Sequence, residues 1–295
     1  MMKQGEPLSK HCTYRIGGPA RVLLSAKNID EIVAGLEMAR ESKLPLFILG
    51  GGSNVLFSDA GFDGLVIKIE NNFIKMDAKK DGAVLLAGAG TPLAALVNFA
   101  RDNSLSGMEW AAGIPGTMGG AIRGNAGAFG DEMGKSVLRV EALENFAKKI
   151  IERTIDKNDC EFSYRGSVFK KNKNLIIVGG EIFLQKGDRA AIAAAMDECA
   201  AKKKSSQPLD YPSAGSVFAN PDGFFAGKII EDCGFKGKAV GGAQVSEKHA
   251  NFIVNLGNAK ASDVLELIAR IKSAAKEKFA VELKEEIEIV EAIKQ

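Results

Sequence analysis

Two glycine-rich stretches of the chain could bind a ligand through exposed backbone. The first is LGGGSNVLF at residues 49–57, and it follows an apolar run at 44–49. Backbone N–H groups bared by glycine can hold a pyrophosphate, and the Ser53 hydroxyl and the Asn54 amide could add hydrogen bonds. A plain tight turn is the simpler explanation when this stretch is taken alone.

The second stretch, residues 107–134, contains nine glycines among 28 residues and few polar side chains. Glycine disfavours both helix and strand, so we expect bare backbone packed closely against another surface. Pro115 would stiffen this loop, and Thr117 would offer it a hydroxyl. Two bare loops about 60 residues apart favour a large, flat ligand that carries a diphosphate, such as a dinucleotide.

The first stretch departs from the two common nucleotide-binding loops. No Lys-Ser or Lys-Thr pair follows it, which argues against a P-loop, and SNVLFSDAGF is a poor helix, which argues against a Rossmann fold. Metal chemistry has little support, because His11 and His249 are the only histidines and no cluster of ligands accompanies His11 and Cys12. We therefore expect no metal site.

Composition narrows the class of protein further. The 295 residues include 39 Lys and Arg against 37 Asp and Glu, and a net charge of +2 argues against nucleic acid as the main partner. The N-terminus lacks an apolar signal region, and no apolar run is long enough to span a bilayer. The four cysteines are scattered without a C-x-x-C pair, which is typical of free thiols in a reducing cytoplasm.

Periodicity predicts the elements that position these loops. We expect helices at 29–40, with Asn28 or Asp30 as its cap, at 91–103, capped by Thr91 with Pro92 in its first turn, and at 188–203 and 261–280. We expect strands at 44–50, 64–69, 82–88, 136–143, 174–184, 249–255 and 281–290. Residues 202–216, rich in charge, serine and proline, predict a domain boundary.

Seven short motifs, taken in order along the chain, resemble a known family. They resemble the UDP-N-acetylenolpyruvoylglucosamine reductases, flavoenzymes of bacterial peptidoglycan synthesis that share the FAD-binding fold of vanillyl-alcohol-oxidase-type proteins. The short run after the 174–184 strand is similar to the shorter subclass of that family, which lacks a loop whose tyrosine closes over substrate. The motifs are HCTYRIGGPA (11–20), LGGGSNVLF, GIPGTMGG (113–120), NAGAFG (125–130), FSYRGSVFK (162–170), PSAGSVFANP (212–221) and HANFIVN.

The resemblance implies an α+β fold with a two-part FAD-binding region, 1–70 and 71–205, and a smaller α+β substrate-binding domain at 206–295. It implies that NADPH reduces the enolpyruvyl ether of a UDP-sugar through FAD, in the cytoplasm, by a protein that we expect to be a monomer. The residues it places on FAD are Tyr14, Arg15, Gly50, Gly51, Gly52, Ser53, Asn54, Ile114, Pro115, Gly116, Thr117, Gly119, Gly120, Asn125 and Ala126.

The resemblance also implies catalytic residues. Ser216 would give a proton to the substrate carbon, and Arg165 would pair with the enolpyruvyl carboxylate through its planar fork. Glu286 is the third, although LKEEIEIV departs from the family pattern around it and Glu285 is the competing position.

The substrate side of the motifs is less complete. The resemblance suggests Tyr164, Asn220 and His249 as substrate contacts. Ala219 stands where the family commonly has lysine, so the contacts to substrate phosphate would be redistributed. The triple lysine at 202–204 could contribute there, but a solvated helix end is the simpler explanation.

Two other functions fit the same fold. One is an oxidase or dehydrogenase of the flavin fold, several of which attach FAD to histidine, but neither glycine stretch has an adjacent histidine. The other is a flavin- or nucleotide-binding module without activity. A module has no reason to keep Arg165, Ser216 and a late glutamate together, and the sequence therefore favours the reductase.

Overall fold

The computed structural model describes residues 1–146 and 149–291 and mixes helices with strands throughout. The strands are β1 (Met2–Pro7), β2 (Pro19–Ala26), β3 (Leu46–Leu49), β4 (Val55–Phe57), β5 (Phe62–Ile69), β6 (Ile74–Lys79), β7 (Gly82–Gly88), β8 (Leu105–Ser106), β9 (Gly127–Ala128), β10 (Asp131–Glu132), β11 (Val137–Asn145), β12 (Ile150–Asp156), β13 (Leu175–Lys186), β14 (Ala239–Val240), β15 (Ala243–Val245), β16 (Ile253–Asn255) and β17 (Glu288–Val290). The helices are α1 (Ile29–Glu41), α2 (Leu93–Asp102), α3 (Met118–Arg123), α4 (Met133–Ser136), α5 (Val168–Lys171), α6 (Arg189–Ser206), α7 (Ala226–Asp232) and α8 (Ala261–Phe279). The strand orders are β1-β2-β5-β3, β10-β9, β12-β11-β13-β7-β6 with β8 beside β13, β14-β15-β16, and β17-β4.

The described chain forms two compact units, and neither is one continuous stretch of sequence. Unit one comprises Met1–Met2, Leu24–Gly51 and Val66–Lys203; unit two comprises Lys3–Leu23, Gly52–Leu65 and the described residues from Lys204 onward. The three successive domains expected from the sequence stay a prediction. The last of them, 206–295, ends in residues outside the described part.

The main sheet of unit one is antiparallel and has β13 at its centre. The predicted strands at 82–88, 136–143 and 174–184 are confirmed by β7, β11 and β13. Ile176 to Gly180 of β13 are all buried, because both faces of a central strand are covered. A Cβ placed on Gly180 would lie 2.7 Å from Cδ1 of Ile122 in α3, so this glycine lets the helix approach the strand.

Helix α1 confirms the predicted helix at 29–40 and its cap. The Asn28 side chain accepts a hydrogen bond from the Glu31 amide across 2.9 Å, as an N-cap residue does. One stripe of the helix is buried, and it contains Ile32, Leu36 and Ala39. The residues of α1 therefore follow the helical period from which it was predicted.

Helix α2 begins later than expected, and the predicted Thr91 cap is wrong. Pro92 occupies the N-cap position. The Thr91 hydroxyl instead donates to the Phe73 carbonyl across 3.0 Å and accepts from the Phe73 amide across 3.3 Å. A buried threonine found a backbone partner outside its own helix, which local sequence rules do not anticipate.

Unit two contains the β14-β15-β16 sheet, the parallel pair β17-β4 and the long helix α8. Helix α8 confirms the prediction for 261–280 and buries Val264, Ile268, Ile271 and Ala275. The predicted strands at 249–255 and 281–290 are shorter in the structure, at Ile253–Asn255 and Glu288–Val290. Within the predicted 281–290 strand and upstream of β17, Glu285 forms an isolated bridge to Phe218.

Candidate active site

The second glycine stretch contains a short helix, α3, although its composition predicted neither helix nor strand. Thr117 caps this helix, accepting from the Gly120 amide at 3.5 Å. Two further amides of its first turn form tertiary hydrogen bonds. The Met118 N–H donates to the Thr91 carbonyl and the Gly119 N–H donates to the Ala89 carbonyl, both at 2.9 Å. A cap and tertiary hydrogen bonds thus stabilise a helix that propensity disfavours.

The two glycine stretches touch each other within unit one. A Cβ placed on Gly51 would lie 2.8 Å from the Gly116 Cα, and one on Gly50 would lie 2.9 Å from the Thr117 hydroxyl oxygen. A side chain at position 51 would separate the two backbones, and one at position 50 would displace the Thr117 hydroxyl. Gly120 is exposed, and the nearest atom to a Cβ there is 3.7 Å away. The two stretches are therefore in close contact, and Gly120 beside that contact is exposed to solvent.

Other residues predicted to bind FAD occupy varied places near this contact. Pro115 is exposed and Ile114 is half-buried, with the Ile114 amide bonded to the Ala111 carbonyl at 3.0 Å. Ala126 uses both backbone groups within the protein, donating to Ala121 and accepting from Met133, each at 2.8 Å.

Asn125 is fully buried and is bonded to protein on both sides of its amide. Its Nδ2 donates to the Ser163 carbonyl at 3.0 Å, and its Oδ1 accepts from the Gly134 amide at 2.8 Å. Its φ of +41° lies in the left-handed region that asparagine tolerates. The Asn125 side chain therefore links two segments of unit one, and its contact with FAD stays a prediction.

Arg165 lies on a tight turn close to this asparagine. Ser163 and Gly166 exchange two backbone hydrogen bonds of 3.0 Å, with Tyr164 and Arg165 between them. The Arg165 φ is +54°, its Nη2 donates to the Gly127 carbonyl at 3.0 Å, and its guanidinium lies 5.1 Å from the Tyr164 ring centroid. The guanidinium is thus oriented by protein contacts.

Ser167 holds the other side of the same turn. This serine is fully buried, and its hydroxyl donates to the Arg123 carbonyl at 2.7 Å. Asn125 and Ser167 together tie the Arg165 turn to the C-terminal end of α3. The structure thereby brings the predicted catalytic arginine beside the second glycine stretch.

In unit two, Thr13 connects the first glycine stretch to the segment that carries Ser216. The Thr13 amide donates to the Gly52 carbonyl at 3.0 Å, and its hydroxyl donates to the Ser213 carbonyl at 2.7 Å. A Cβ on Gly52 would meet the His11 carbonyl, so the glycine is needed for this approach. Sequence reasoning passed over Thr13, which stands between the motif residues His11 and Tyr14.

Ser216 and Glu286 lie in neighbouring segments of unit two. The Glu286 amide donates to the Val217 carbonyl at 2.8 Å, and the Asn54 side chain donates to the Glu286 carbonyl at 3.1 Å. Asn54 therefore adjoins the predicted catalytic glutamate, and Ser53, the residue before it in the chain, is half-buried. The competing Glu285 carboxylate pairs with Lys272 at 2.7 Å.

Asn251 supports the Ser216 segment from the side of the HANFIVN motif. Its amide side chain exchanges two hydrogen bonds with the Phe218 backbone, 3.0 Å and 2.8 Å long, and its carbonyl accepts from the Val217 amide. Sequence reasoning missed Asn251. The signal that could have found it is a buried amide inside an apolar motif, which must have a polar partner.

Tyr14 and Arg15, both predicted to contact FAD, differ in environment. Tyr14 is fully buried, and its hydroxyl has no hydrogen-bond partner among the described residues. Burial raises the pKa of this phenol well above its usual range, so it stays neutral. Arg15 is exposed and has a φ of +56°.

Asn220 and His249, predicted as substrate contacts, both have protein partners. The Asn220 side chain accepts from the Ala226 amide at 3.0 Å, at the start of α7. His249 Nδ1 accepts from the Asn251 amide at 3.2 Å, and its ring meets Phe252 edge-on with centroids 5.0 Å apart. Burial lowers the pKa of His249, which keeps this acceptor unprotonated.

Comparison with known proteins shows which family the chain belongs to. The chain is 44% identical to the UDP-N-acetylenolpyruvoylglucosamine reductase of Caldanaerobacter subterraneus, over 97% of this chain and 92% of that protein. The chain belongs to the UDP-N-acetylenolpyruvoylglucosamine reductase family. The reductase of Lachnoclostridium phytofermentans is 41% identical over 97% of this chain. The family resemblance stated from seven motifs is confirmed.

Profiles and a solved structure agree with the family. A profile for the C-terminal domain of UDP-N-acetylenolpyruvoylglucosamine reductase matches residues 207–290, and one for an FAD-binding domain matches residues 20–145. The crystal structure of the reductase from Thermus caldophilus aligns with a TM-score of 0.83 and 33% identity, covering 98% of this chain and all of that one. The predicted fold class, an α+β FAD-binding region with a C-terminal reductase domain, is confirmed.

The residues present fit FAD, the cofactor of this family. A Cβ on Gly51 would press on the Gly116 backbone, and one on Gly50 would press on the Thr117 hydroxyl, while Gly120 beside them is exposed. The Tyr14 hydroxyl is a buried donor without a partner among the described residues, and such groups nearly always have one.

No described helix is both long enough and apolar enough to cross a membrane.

Proposed function

We propose that this chain reduces UDP-N-acetylglucosamine enolpyruvate to UDP-N-acetylmuramate at the expense of NADPH, a step in peptidoglycan precursor synthesis. The observation that carries the proposal is 44% identity to a reductase of this name along 97% of the chain. The arginine, serine and late glutamate of the motifs are all present, at Arg165, Ser216 and Glu286. A binding module without activity has no need of that set.

FAD, when bound, supplies the hydride chemistry that connects NADPH to the vinyl carbon of the substrate. Its binding falls to the backbone of the two glycine stretches, whose contact at Gly51 and Gly116 supports this role. Tyr14 would supply the phenol hydroxyl. Asn125 acts on the cofactor segment through the protein, because both sides of its amide are bonded to backbone.

Arg165 binds the enolpyruvyl carboxylate and stabilises the charge that develops on it. Its turn already orients the guanidinium through the Gly127 carbonyl and the Tyr164 ring, so little rotamer freedom is lost on binding. Tyr164, predicted to contact substrate, is 55% exposed beside this guanidinium.

Ser216 gives its hydroxyl proton to the carbon next to the new C–H bond. Serine is a weak acid, so the step needs a strongly basic acceptor and a hydroxyl held in place. Hydrogen bonds from Val217 and to Val217 hold the serine segment against Asn251 and Glu286. Glu286 polarises this part of the site, whereas Asn220 and His249 shape the substrate side mainly through their protein partners.

We place the enzyme in the cytoplasm as a monomer. Cys12 and Cys160 are buried free thiols, and Cys199 and Cys233 are half-buried free thiols, which suits a reducing compartment. The nucleotide-sugar substrate and NADPH are both expected in that compartment.

The test is NADPH consumption by the FAD-loaded protein without oxygen, with and without UDP-N-acetylglucosamine enolpyruvate. Steady turnover should need that substrate. The Ser216→Ala variant should consume about one equivalent of NADPH per FAD and then stop, whereas the matched Ser213→Ala variant should turn over. The substrate assignment fails if NADPH is consumed once and the enolpyruvyl sugar never restores consumption in the unaltered protein.

A further inference from the structure

Lys203 is a buried lysine near the end of α6. It is only 4% exposed, whereas its neighbours Lys202 and Lys204 are both exposed. Lysine is almost never fully buried without a partner, because removing an ammonium from water is costly. The solvated helix end expected for this lysine run is therefore wrong at its middle residue.

The Lys203 side chain points at the backbone of the second glycine stretch, at Ala112 and Gly113. Its Nζ donates to the Ala112 carbonyl at 3.0 Å, and its Cδ would lie 3.7 Å from a Cβ on Gly113. No carboxylate of the described residues lies within ion-pair distance of it, and burial lowers its pKa to about 8. The Ala112 carbonyl is thus the protein acceptor of this ammonium.

A second segment meets the same ammonium. The Phe129 ring centroid lies 5.9 Å from Lys203 Nζ, within the range of a cation–π contact. Phe129 and Gly130 form the turn between β9 and β10, with φ values of +56° and +86°. Gly127 in β9 provides the carbonyl that orients Arg165.

We propose that Lys203 is a positioning residue that fixes the Ala112–Gly113 backbone of the second glycine stretch and the β9–β10 turn in one arrangement, ready for FAD. This inference rests on the proposed function. Its physical basis is local: Gly113 has a φ of +74°, in the left-handed region, and the carbonyl of the buried Ala112 before it needs a donor. A methionine would fill the same volume without supplying an N–H.

The experiment compares Lys203→Met with the matched surface change Lys202→Met. Lys202 lies 5.8 Å from the same Phe129 ring, but its ammonium also pairs with Glu198. FAD affinity of the apo proteins is measured by flavin fluorescence, and amide hydrogen exchange is measured peptide by peptide. Lys203→Met should raise the FAD Kd at least tenfold and speed exchange at residues 112–120 and 127–132. Lys202→Met should stay within twofold.

Several results separate this inference from others. If the unaltered protein does not bind FAD, the proposed function fails first. If it binds FAD and Lys203→Met binds equally well with unchanged exchange at 112–120, the positioning role is overturned. A purely structural role would speed exchange throughout unit one instead. Should Lys203→Met not fold, Lys203→Gln is the second variant: its side chain is one atom shorter, so the Ala112 carbonyl loses its donor and the FAD Kd should rise severalfold, whereas a Kd equal to the original would contradict the role.

Discussion

Asn125 donates its side-chain amide to the Ser163 carbonyl across 3.0 Å, and neither end of this hydrogen bond is a catalytic group. The bond joins the NAGAFG motif to the FSYRGSVFK motif. It explains why the two motifs occur in one protein: the first holds the turn on which the second presents Arg165. Asn125, whose contact with FAD stays a prediction, therefore also links the second glycine stretch to the turn that carries Arg165.

Replacing Asn125 with alanine should cost both stability and activity. The change leaves the Ser163 carbonyl and the Gly134 amide without their partner, and we expect the free energy of unfolding to fall by about 2 kcal/mol. Activity at saturating substrate should fall at least tenfold, because the Arg165 turn loses a support. Urea unfolding and steady-state kinetics check this, with the exposed Asn174→Ala as control. Unaltered kcat in Asn125→Ala would contradict the linking role.

Substitutions of the adjacent Glu285 and Glu286 should have clearly different effects on kcat. Glu286→Gln should lower kcat roughly a hundredfold or more, the scale of a lost catalytic charge. Glu285→Gln should keep kcat within about threefold and lower the free energy of unfolding by at most about 1 kcal/mol, because its pair with Lys272 is half-exposed. The reverse pattern would move the catalytic position to Glu285.

The Tyr14 hydroxyl should matter only when FAD is bound. In the apo protein, Tyr14→Phe removes a buried hydroxyl that has no partner among the described residues, so the free energy of unfolding should stay the same or rise by about 1 kcal/mol. The FAD Kd should rise about fivefold or more if FAD is the missing partner. Calorimetry with and without FAD tests this, and Tyr211→Phe, at a half-exposed tyrosine, is the control. An unchanged FAD Kd would assign the hydroxyl to another group.

Stability should depend on Asp59 in a pH-dependent way. Its carboxylate accepts from the first amides of α8, Ala261 at 2.6 Å and Ser262 at 3.0 Å. Burial raises the pKa of this carboxyl, but those hydrogen bonds outweigh it, and the pKa lies below its ordinary value. A depressed folded pKa stabilises the protein above the unfolded pKa of about 3.9, and that contribution disappears as the pH falls through the folded value.

Asp59→Ala should accordingly lower the free energy of unfolding by about 1 kcal/mol at pH 7, the usual value of a helix cap. The difference from the unaltered protein should shrink as the pH falls below about 4. Urea unfolding at pH 7 and at a pH below about 4 measures this difference in the free energy of unfolding. Asp77→Ala, at an exposed strand residue, should show neither effect. A difference that stays constant with pH would mean that the cap acts without its charge.

Local pattern predicted the elements whose signals are local. Asn28 at the start of α1, the buried stripe of α8 and the strand at 82–88 all follow from period and capping rules. The approach of Gly51 to Gly116 was foreseen in kind, since bare backbone implies a close neighbour. The resemblance singled out Arg165, and the structure shows that this residue lies on a turn tied to the end of α3.

The rest depended on partners far away in the chain. Asn255 donates to the Tyr14 carbonyl across a separation of 241 residues, and no periodicity announces such a bond. The Thr91 hydroxyl bonds the Phe73 backbone instead of capping α2. Helix α3 forms in a glycine-rich stretch because the Thr91 and Ala89 carbonyls accept hydrogen bonds from its first amides. Lys203 looked like a solvated charge because a sequence does not show which side of a helix end is covered.

The parallel pairing of β17 with β4 has a consequence for how the protein is made. Strand β4 is buried and apolar, yet its partner lies more than two hundred residues later, as the 232-residue separation of Asn54 and Glu286 shows. At usual ribosome speeds the edge of β4 waits roughly ten to fifty seconds for its neighbour. During translation the backbone N–H and C=O groups of this edge are unpaired and prone to aggregation. Chaperones that bind nascent chains should therefore raise the yield of active enzyme.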